Sequence, residues 1–421
     1  MDSERLEQKL RDYFQTELKA IEPSIDWWNK FNSLLDEKVK TTNLNNTKGK
    51  LWRRLAGPRL IAISACIVVF TIFIVVGTIW LTANHSGTII NTTASSKTAA
   101  TTMTQLGPIA YAITTGPDGN LWFTEEESNV ICKISPTTGK ITTFDTPAST
   151  TPYGISPSPY GITTGPDGNL WFTYTDQTTS PFVNEIGVIS PKTGDVTLYN
   201  IPTASAGPYH ITSGPDGNLW FVEYDGNKIG KITPSTGMIT EYDIPGAKPY
   251  DYPNDITTGP DGNLWFTDIN GNLIGKISPA TGVITEYTLP NTASSPNDIT
   301  AGPDGNLWFT ELGGNKIGEI SPKTGIITEY NIPAVQAFPS GITVGPDGNL
   351  WFTELGGNKI GKISPSTGII TEYDIPDTSA DPTDITAGPD GNLWFTESNE
   401  NKIGNISPTS GKITEYSIPN H

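Results

Sequence analysis

Cysteine is nearly absent from this chain. Its 421 residues hold two, Cys66 and Cys132. They lie in different segments and cannot pair inside the repeat region, so the fold must rest on its core, as a large repeat core can. Histidine is almost as scarce, at His85, His210 and His421. Residues 1–59 contain no Cys/His cluster, which excludes a zinc-binding domain there. Positive charge is short beyond residue 59. Of 26 Lys/Arg and 44 Asp/Glu, residues 1–59 hold 12 and 9, leaving 14 and 35, a balance of −21. So acidic a bulk argues against nucleic acid or anionic lipid as its partner. Uninterrupted helix is missing too, because about three Gly/Pro turns fall in every repeat of the second part and exclude a helical solenoid.

What is present is a repeat. Gly-Pro-Asp-Gly-Asn-Leu-Trp-Phe occurs seven times, from Gly116, Gly165, Gly214, Gly259, Gly302, Gly345 and Gly388, and takes up seven of the eleven tryptophans. In the fifth copy, Asp298 to Ala301 is a short strand and Gly302-Pro303-Asp304-Gly305 a turn. Asn306 to Glu311 is a second strand whose consecutive Leu, Trp and Phe fit burial on both faces. Gly313-Gly314-Asn315 turns into a third strand, Lys316 to Ile320. Ser321 to Gly325 then turns into a fourth, Ile326 to Ile332. A four-stranded meander of this size cannot hide both faces alone. Seven of them arranged radially bury one another, which predicts an all-β, seven-bladed propeller over residues 107–421. A parallel β-helix has shorter coils without three hairpin turns each. Closure is left open, because Met103 to Leu106 reads either as an outer strand added to the last blade or as linker.

Ahead of the propeller, Leu60 to Ala83 is 24 residues without charge, long enough to cross a bilayer as one helix. Lys48, Lys50, Arg53, Arg54 and Arg59 precede it closely and no basic residue follows closely. The N-terminus is therefore expected in the cytoplasm, with the propeller outside a single-pass membrane protein. Residues 84–106 are Thr/Ser-rich and expected as a stalk. Residues 1–59 show helical spacing (Leu6, Leu10, Phe14, Leu18) and are expected as a cytoplasmic helical segment, either soluble, lying on the membrane, or docking a cytoplasmic partner.

The Pro-Asp-Gly-Asn turns barely vary and fall on one rim. The opposite rim varies, which is where binding is expected. Two positions per blade are expected to point there near the axis. One lies two residues before the first-strand Ile: Tyr111, Tyr160, Tyr209, Asn254, Asn297, Ser340 and Thr383. The other ends the Trp-Phe-Thr strand: Glu125, Tyr174, Glu223, Asp268, Glu311, Glu354 and Glu397. Lys228, Lys316, Lys359 and Lys402 follow four of these acids by five residues and are expected to pair with them across the hairpin. Glu125 and Asp268 face Val130 and Leu273 instead. Surplus carboxylates, Glu125, Asp268 and Glu397 among them, are candidate ligands for Mg²⁺ or Ca²⁺.

The repeat, from Pro-x-x-Ile-Thr-x-Gly-Pro-Asp-Gly-Asn-Leu-Trp-Phe-Thr-Glu to Ile-Thr-Glu-Tyr-x-Ile-Pro, resembles the virginiamycin B (streptogramin B) lyase family of seven-bladed propellers over about residues 107–421. The resemblance implies opening of a cyclic depsipeptide by elimination across its ester, with Mg²⁺. It implies a site on the variable rim built from a tyrosine, acidic residues and two histidines. Carried over, the tyrosine is Tyr111 and the acids are Asp381, shortened from Glu, and Glu397. The histidine positions are Ser340 and Thr383, so both histidines are missing. Neither hydroxyl is a base near neutral pH, and a positioned base contributes about 10²–10⁴-fold. Glu397 is the candidate substitute, given a raised pKa. His210 follows Tyr209 and is expected on the opposite strand face, packed between blades.

Three functions follow. The chain is expected foremost to bind a small molecule, peptide or surface protein at the rim. The alternatives are a Mg²⁺-dependent lyase with an altered base, and a transmembrane sensor reporting to residues 1–59.

Overall fold

The computed structural model describes residues 109–126, 129–147, 158–176, 183–248 and 251–419. The expected cytoplasmic segment, membrane helix, stalk and Met103–Leu106 strand lie outside the described residues. Among the described residues no helix is long and apolar enough to cross a membrane.

Seven sheets follow one another along the chain, each of four consecutive antiparallel strands paired in sequence order. In blade five these are Pro296–Ala301, Leu307–Glu311, Lys316–Ile320 and Ile327–Asn331. The strands expected from the sequence are therefore found, with shifts of one or two residues at their ends. The second strand is buried along its whole length in this blade. Each Trp leaves its own sheet to pack on the next. Trp122 of blade one sits with Leu170 and Phe172 of blade two, and Trp394 of blade seven sits with Leu121 and Phe123 of blade one. The second contact joins the last blade to the first among the described residues. Among the described residues the last blade uses only its own strands, Pro382–Ala387 to Ile413–Ser417, and side-chain packing and hydrogen bonds join it to blade one.

The constant turns have a structural task. In blade three, Asp216 accepts the indole Nε1–H of Trp220 at 3.0 Å, together with the backbone and side-chain N–H groups of Asn218 at 3.2 and 2.8 Å. Burial alone would raise such a carboxylate. The Trp and Asn donors outweigh that and hold Asp216 below its ordinary value. The turn glycine, Gly217 in this blade, takes a φ of 77° that favours glycine.

A belt of hydroxyls runs around the axis. Thr124 donates to the carbonyl of Tyr160 at 2.6 Å, Thr267 to Asn297 at 2.7 Å, Thr310 to Ser340 at 2.7 Å and Thr353 to Thr383 at 2.9 Å. Each of these threonines also accepts a backbone N–H from its own blade's first strand, as Thr310 does from Asp298 at 3.0 Å. The equivalent residue of blade three is Val222, which cannot continue the belt.

Candidate functional site

The first strand of every blade carries one more residue than its neighbour across a β-bulge. In blade three Pro208 pairs with Glu223 and Ile211 with Phe221, so Tyr209 and His210 together oppose Val222. A bulge of this kind breaks the alternation of faces. Two successive residues of blades five, six and seven thereby reach a hollow at the axis of about 240 Å³, counting its open mouth, lined by Tyr111, His210, Asn297, Asp298, Ser340, Gly341, Thr383 and Asp384.

Tyr111, Asn297, Ser340 and Thr383 are thus brought together in one lining. Asn254 joins them through its Nδ2, 2.9 Å from the carbonyl of Asn297. Tyr160 and Tyr209 pack against Tyr111 with ring centroids 5.9 and 5.7 Å away, and the hydroxyls of Tyr111 and Tyr209 are hydrogen-bonded. From Tyr209 the aromatic surface continues through Tyr224 to Tyr252, which stack at 4.3 Å. One side of the mouth is therefore aromatic, and the other presents amides and hydroxyls.

His210 corrects the sequence reading. It is not packed between blades but lines the hollow, with its ring centroid 6.4 Å from that of Tyr111 in blade one. Its Nδ1 lies 3.1 Å from Asp255 Oδ1, and its side chain is 20% exposed. Strict alternation had assigned it to the other face, and the bulge is the reason that failed. Asp255, Asp298 and Asp384 occupy the same place in their own blades and were likewise overlooked. A polar or glycine residue directly before the first-strand Ile in six consecutive blades, from Gly161 to Asp384, is the signal for this face.

These aspartates tie blade to blade. Asp255 Oδ2 accepts the N–H of Ile299 at 2.9 Å, Asp298 Oδ2 that of Ile342 at 2.6 Å, and Asp384 Oδ2 that of Ile113 at 2.8 Å. Burial opposes ionisation of Asp255, but bonds from Asp298 and His210 prevail and hold it low. Asp298 is pushed well above the carboxylate range by burial and by the charge of Asp255. Asp384 is raised by burial to about 6, against the pull of the Ile113 N–H and His210. Burial pushes His210 down, yet its partnership with Asp255 outweighs this and raises it above the ordinary imidazole value.

The second expected ring of acids does not face the hollow. Glu223, Glu311, Glu354 and Glu397 are fully buried under the turn between the second and third strands. A Cβ built on Gly226, Gly314 or Gly357 would lie 2.8 Å from an oxygen of Glu223, Glu311 or Glu354. Nor do the expected lysines neutralise them. Lys228 bonds Asp243 at 2.7 Å, Lys316 bonds Glu329, Lys359 bonds Asp374, and Lys402 bonds Asp377 at 2.6 Å. The outer strand or the inter-blade loop offers a solvated carboxylate, and a lysine pairs there without being buried. Burial raises Glu223, Glu354 and Glu397 to about 8 and Glu311 to about 7.

Glu125, Asp268 and Glu397, the candidate metal ligands, lie in blades one, four and seven and are not brought together. Glu125 accepts from the thiol of Cys132 at 2.8 Å. Asp268 accepts the N–H of Gly271 at 2.7 Å and is raised by burial to about 7. Asp381 sits in the loop before blade seven at a φ of 47°, its carbonyl accepting from Ser398 at 2.8 Å. Among the described residues no group of three or more His, Cys, Asp or Glu is placed to hold a metal. Within the hollow the carboxylate oxygens are already engaged. Asp298 Oδ1 accepts the N–H of Ile299 and Asp384 Oδ1 that of Ile385, both at 2.7 Å, in addition to the inter-blade bonds. Since Mg²⁺ demands several uncommitted oxygens in near-octahedral array, this donor set does not fit it.

The sequence profile of the virginiamycin B lyase family matches residues 156–421. A streptogramin B lyase structure is 40% identical over 72% of this chain and 94% of its own, at a TM-score of 0.63. A catalytically inactive His-to-Ala variant of virginiamycin B lyase from Staphylococcus aureus, with quinupristin, matches at 40% identity over 72% of this chain and 96% of its own, also at 0.63. Hydrazine synthase of Kuenenia stuttgartiensis, at 15% identity over 80% of this chain and 100% of its own with a TM-score of 0.55, shares the fold alone. No curated protein matches the chain.

Proposed function

The chain belongs to the virginiamycin B lyase family, and on that footing we propose that its propeller is a binding module. It captures a ring-bearing small molecule or peptide over the mouth of the central hollow. The observation that carries this reading is the identity of Ser340 and Thr383. Both line the hollow where the family resemblance calls for histidines, and in the Staphylococcus aureus relative a His-to-Ala change is described as catalytically inactive. Thr383 bonds the hydroxyl of Ser398 at 2.9 Å, and no imidazole stands beside either hydroxyl in that wall. The tyrosine surface supports capture, since aromatic faces add about 0.5–1.5 kcal/mol per stacked ring beyond area burial. No step is assigned to a metal. The uncharged run at residues 60–83 supports tethering of this module to a membrane, with the propeller on the outer side and residues 1–59 within.

Calorimetric titration of the full-length chain with quinupristin tests capture. Saturable binding supports it. No heat at millimolar ligand, with no protection of Tyr111 or Tyr209 in hydrogen exchange of their strands, overturns it. A lyase with an altered base is the second reading. Glu397, fully buried and outside the lining of the hollow, offers that reading little support. What favours the second reading is His210.

A further inference from the structure

We propose that the hollow takes a protonated amine, so that the ligand captured at this mouth is an arylalkylammonium compound whose ring lies on the tyrosines and whose charged nitrogen enters beside Asp384. The inference rests on capture at the mouth and deepens it by naming the ligand class.

The hollow is acidic and has no fixed cation to match. Asp298 and Asp384 line it, and Asp255 stands behind His210 at 3.1 Å. No lysine or arginine belongs to the lining. The lysines that open the third strands are held elsewhere, Lys228 by Asp243, Lys316 by Glu329, Lys359 by Asp374 and Lys402 by Asp377. Near neutral pH Asp255 and Asp384 are ionised and Asp298 keeps its proton. His210 supplies at most one positive charge against those two, so negative charge is left over. Asp384 accepts the N–H of Ile113 at 2.8 Å and that of Ile385 at 2.7 Å. These peptide dipoles orient its charge without cancelling it. They occupy coordination positions that Mg²⁺ would need, whereas an ammonium group requires only acceptors around it. Asn297, Ser340 and Thr383 offer side-chain oxygens in the same lining.

The aromatic wall is a second, independent feature of the same kind. Tyr111 lines the hollow, and the rings of Tyr160 and Tyr209 pack 5.9 and 5.7 Å from it. The face of a tyrosine attracts a cation through its quadrupole, more strongly as water is excluded. Burial pushes the phenols of Tyr111 and Tyr209 up, so both rings stay neutral. Tyr111 belongs to the hollow and to the tyrosine cluster alike. A ligand ring resting on the cluster therefore lies next to the hollow, and a short alkyl chain brings its nitrogen inside. At longer range, 14 Lys/Arg against 35 Asp/Glu in residues 60–421 favour the approach of a cation over that of an anion.

Calorimetric titration of the full-length chain with phenethylamine and with 2-phenylethanol compares a cation with a neutral ligand of nearly the same shape. At about pH 7.5 the amine should bind about tenfold more tightly, the scale of one cation–π contact and one partly exposed ion pair. Asp384→Asn should bring the two affinities to within about threefold. So should acidifying the parent to about pH 5, because the charge of Asp384 is lost as pH falls through about 6 while Asp255 still offsets His210 and Asp298 remains neutral. Equal affinities in the parent at about pH 7.5 overturn the inference and leave capture standing. Saturable binding of quinupristin with neither probe bound does the same, and absence of all binding overturns capture as well. An amine preference that survives both Asp384→Asn and acidification places the cation elsewhere and overturns the inference. Should the variant misfold, the pH comparison on the parent decides alone.

Discussion

The hydroxyl of Thr396 in blade seven donates to the carbonyl of Tyr111 in blade one at 2.9 Å, joining residues 285 positions apart. It is the link of the threonine belt that spans the closure, where the described residues supply no shared strand. Thr396→Val keeps the shape and removes the bond, as Val222 does naturally in blade three. The expected cost is about 1 kcal/mol. Hydrogen exchange should rise in Ile109–Thr115 first, because that strand is held by its neighbour on one side only through such contacts. Thr310→Val, in the middle of the ring, should cost a similar amount without local opening at the termini.

The buried acids of the second strand make the fold sensitive to alkali. Glu354 has a folded pKa of about 8, raised from 4.5 mainly by burial, then by Glu372 and against Lys359. An acid raised on folding leaves stability intact below its unfolded pKa and erodes it as pH climbs through the folded value. Thermal midpoints should therefore fall between about pH 5 and 9. Glu354→Gln should flatten that fall and gain at least about 1 kcal/mol at pH 9, because each tenfold weakening of an acid on folding corresponds to about 1.36 kcal/mol. Circular dichroism melts across the pH range decide it. An unchanged slope would show the carboxylates to be ionised and compensated.

How far the sequence could reach is visible in these two cases. The period of the Trp-Phe repeat and its Gly/Pro punctuation are local signals. They defined seven meanders and the strand ends to within a residue or two, as in Lys316–Ile320. The glutamate–lysine register was also correct, with Glu354 directly opposite Lys359. Its energetic meaning was not, because a hairpin read alone omits the competing Asp374 of the outer strand. At the axis the limit was geometric. Pro208 to Ile211 spans three residues while Glu223 to Phe221 spans two. The polar or glycine residue before each first-strand Ile is the one sign of that mismatch, and alternation read without it turns the imidazole of His210 to the wrong face.

The tyrosine side of the mouth is expected to carry most of the ligand contact. Tyr160→Ala removes a ring that packs on both Tyr111 and Tyr209, at 5.9 and 5.5 Å between centroids. Capture of quinupristin should weaken about three- to tenfold, the equivalent of one lost aromatic contact. Asn297→Ala, on the polar side, should change affinity less. Titration calorimetry of both variants compares them, and equal losses would remove the distinction between the two sides.

Gly161 precedes the first-strand Ile of blade two and lets blade three come close. A Cβ there would meet the carbonyl oxygen of Tyr209 at 2.6 Å and the Cα of His210 at 2.8 Å, both backbone atoms that cannot rotate aside. Gly161→Ala must therefore shift the blade-three bulge away from blade two, on the side opposite Asp255 in blade four. The strain should cost about 1–3 kcal/mol, as overpacking does. Its more specific consequence is electrostatic. His210 owes its raised pKa to Asp255, against burial, so a change in that contact changes where the imidazole titrates. Its imidazole titration, followed by NMR, should therefore be displaced in Gly161→Ala. Ala112→Gly, the same position in blade one, should leave that titration where it is. A displacement in the first variant alone would show that the backbone of blade two sets the histidine's charge.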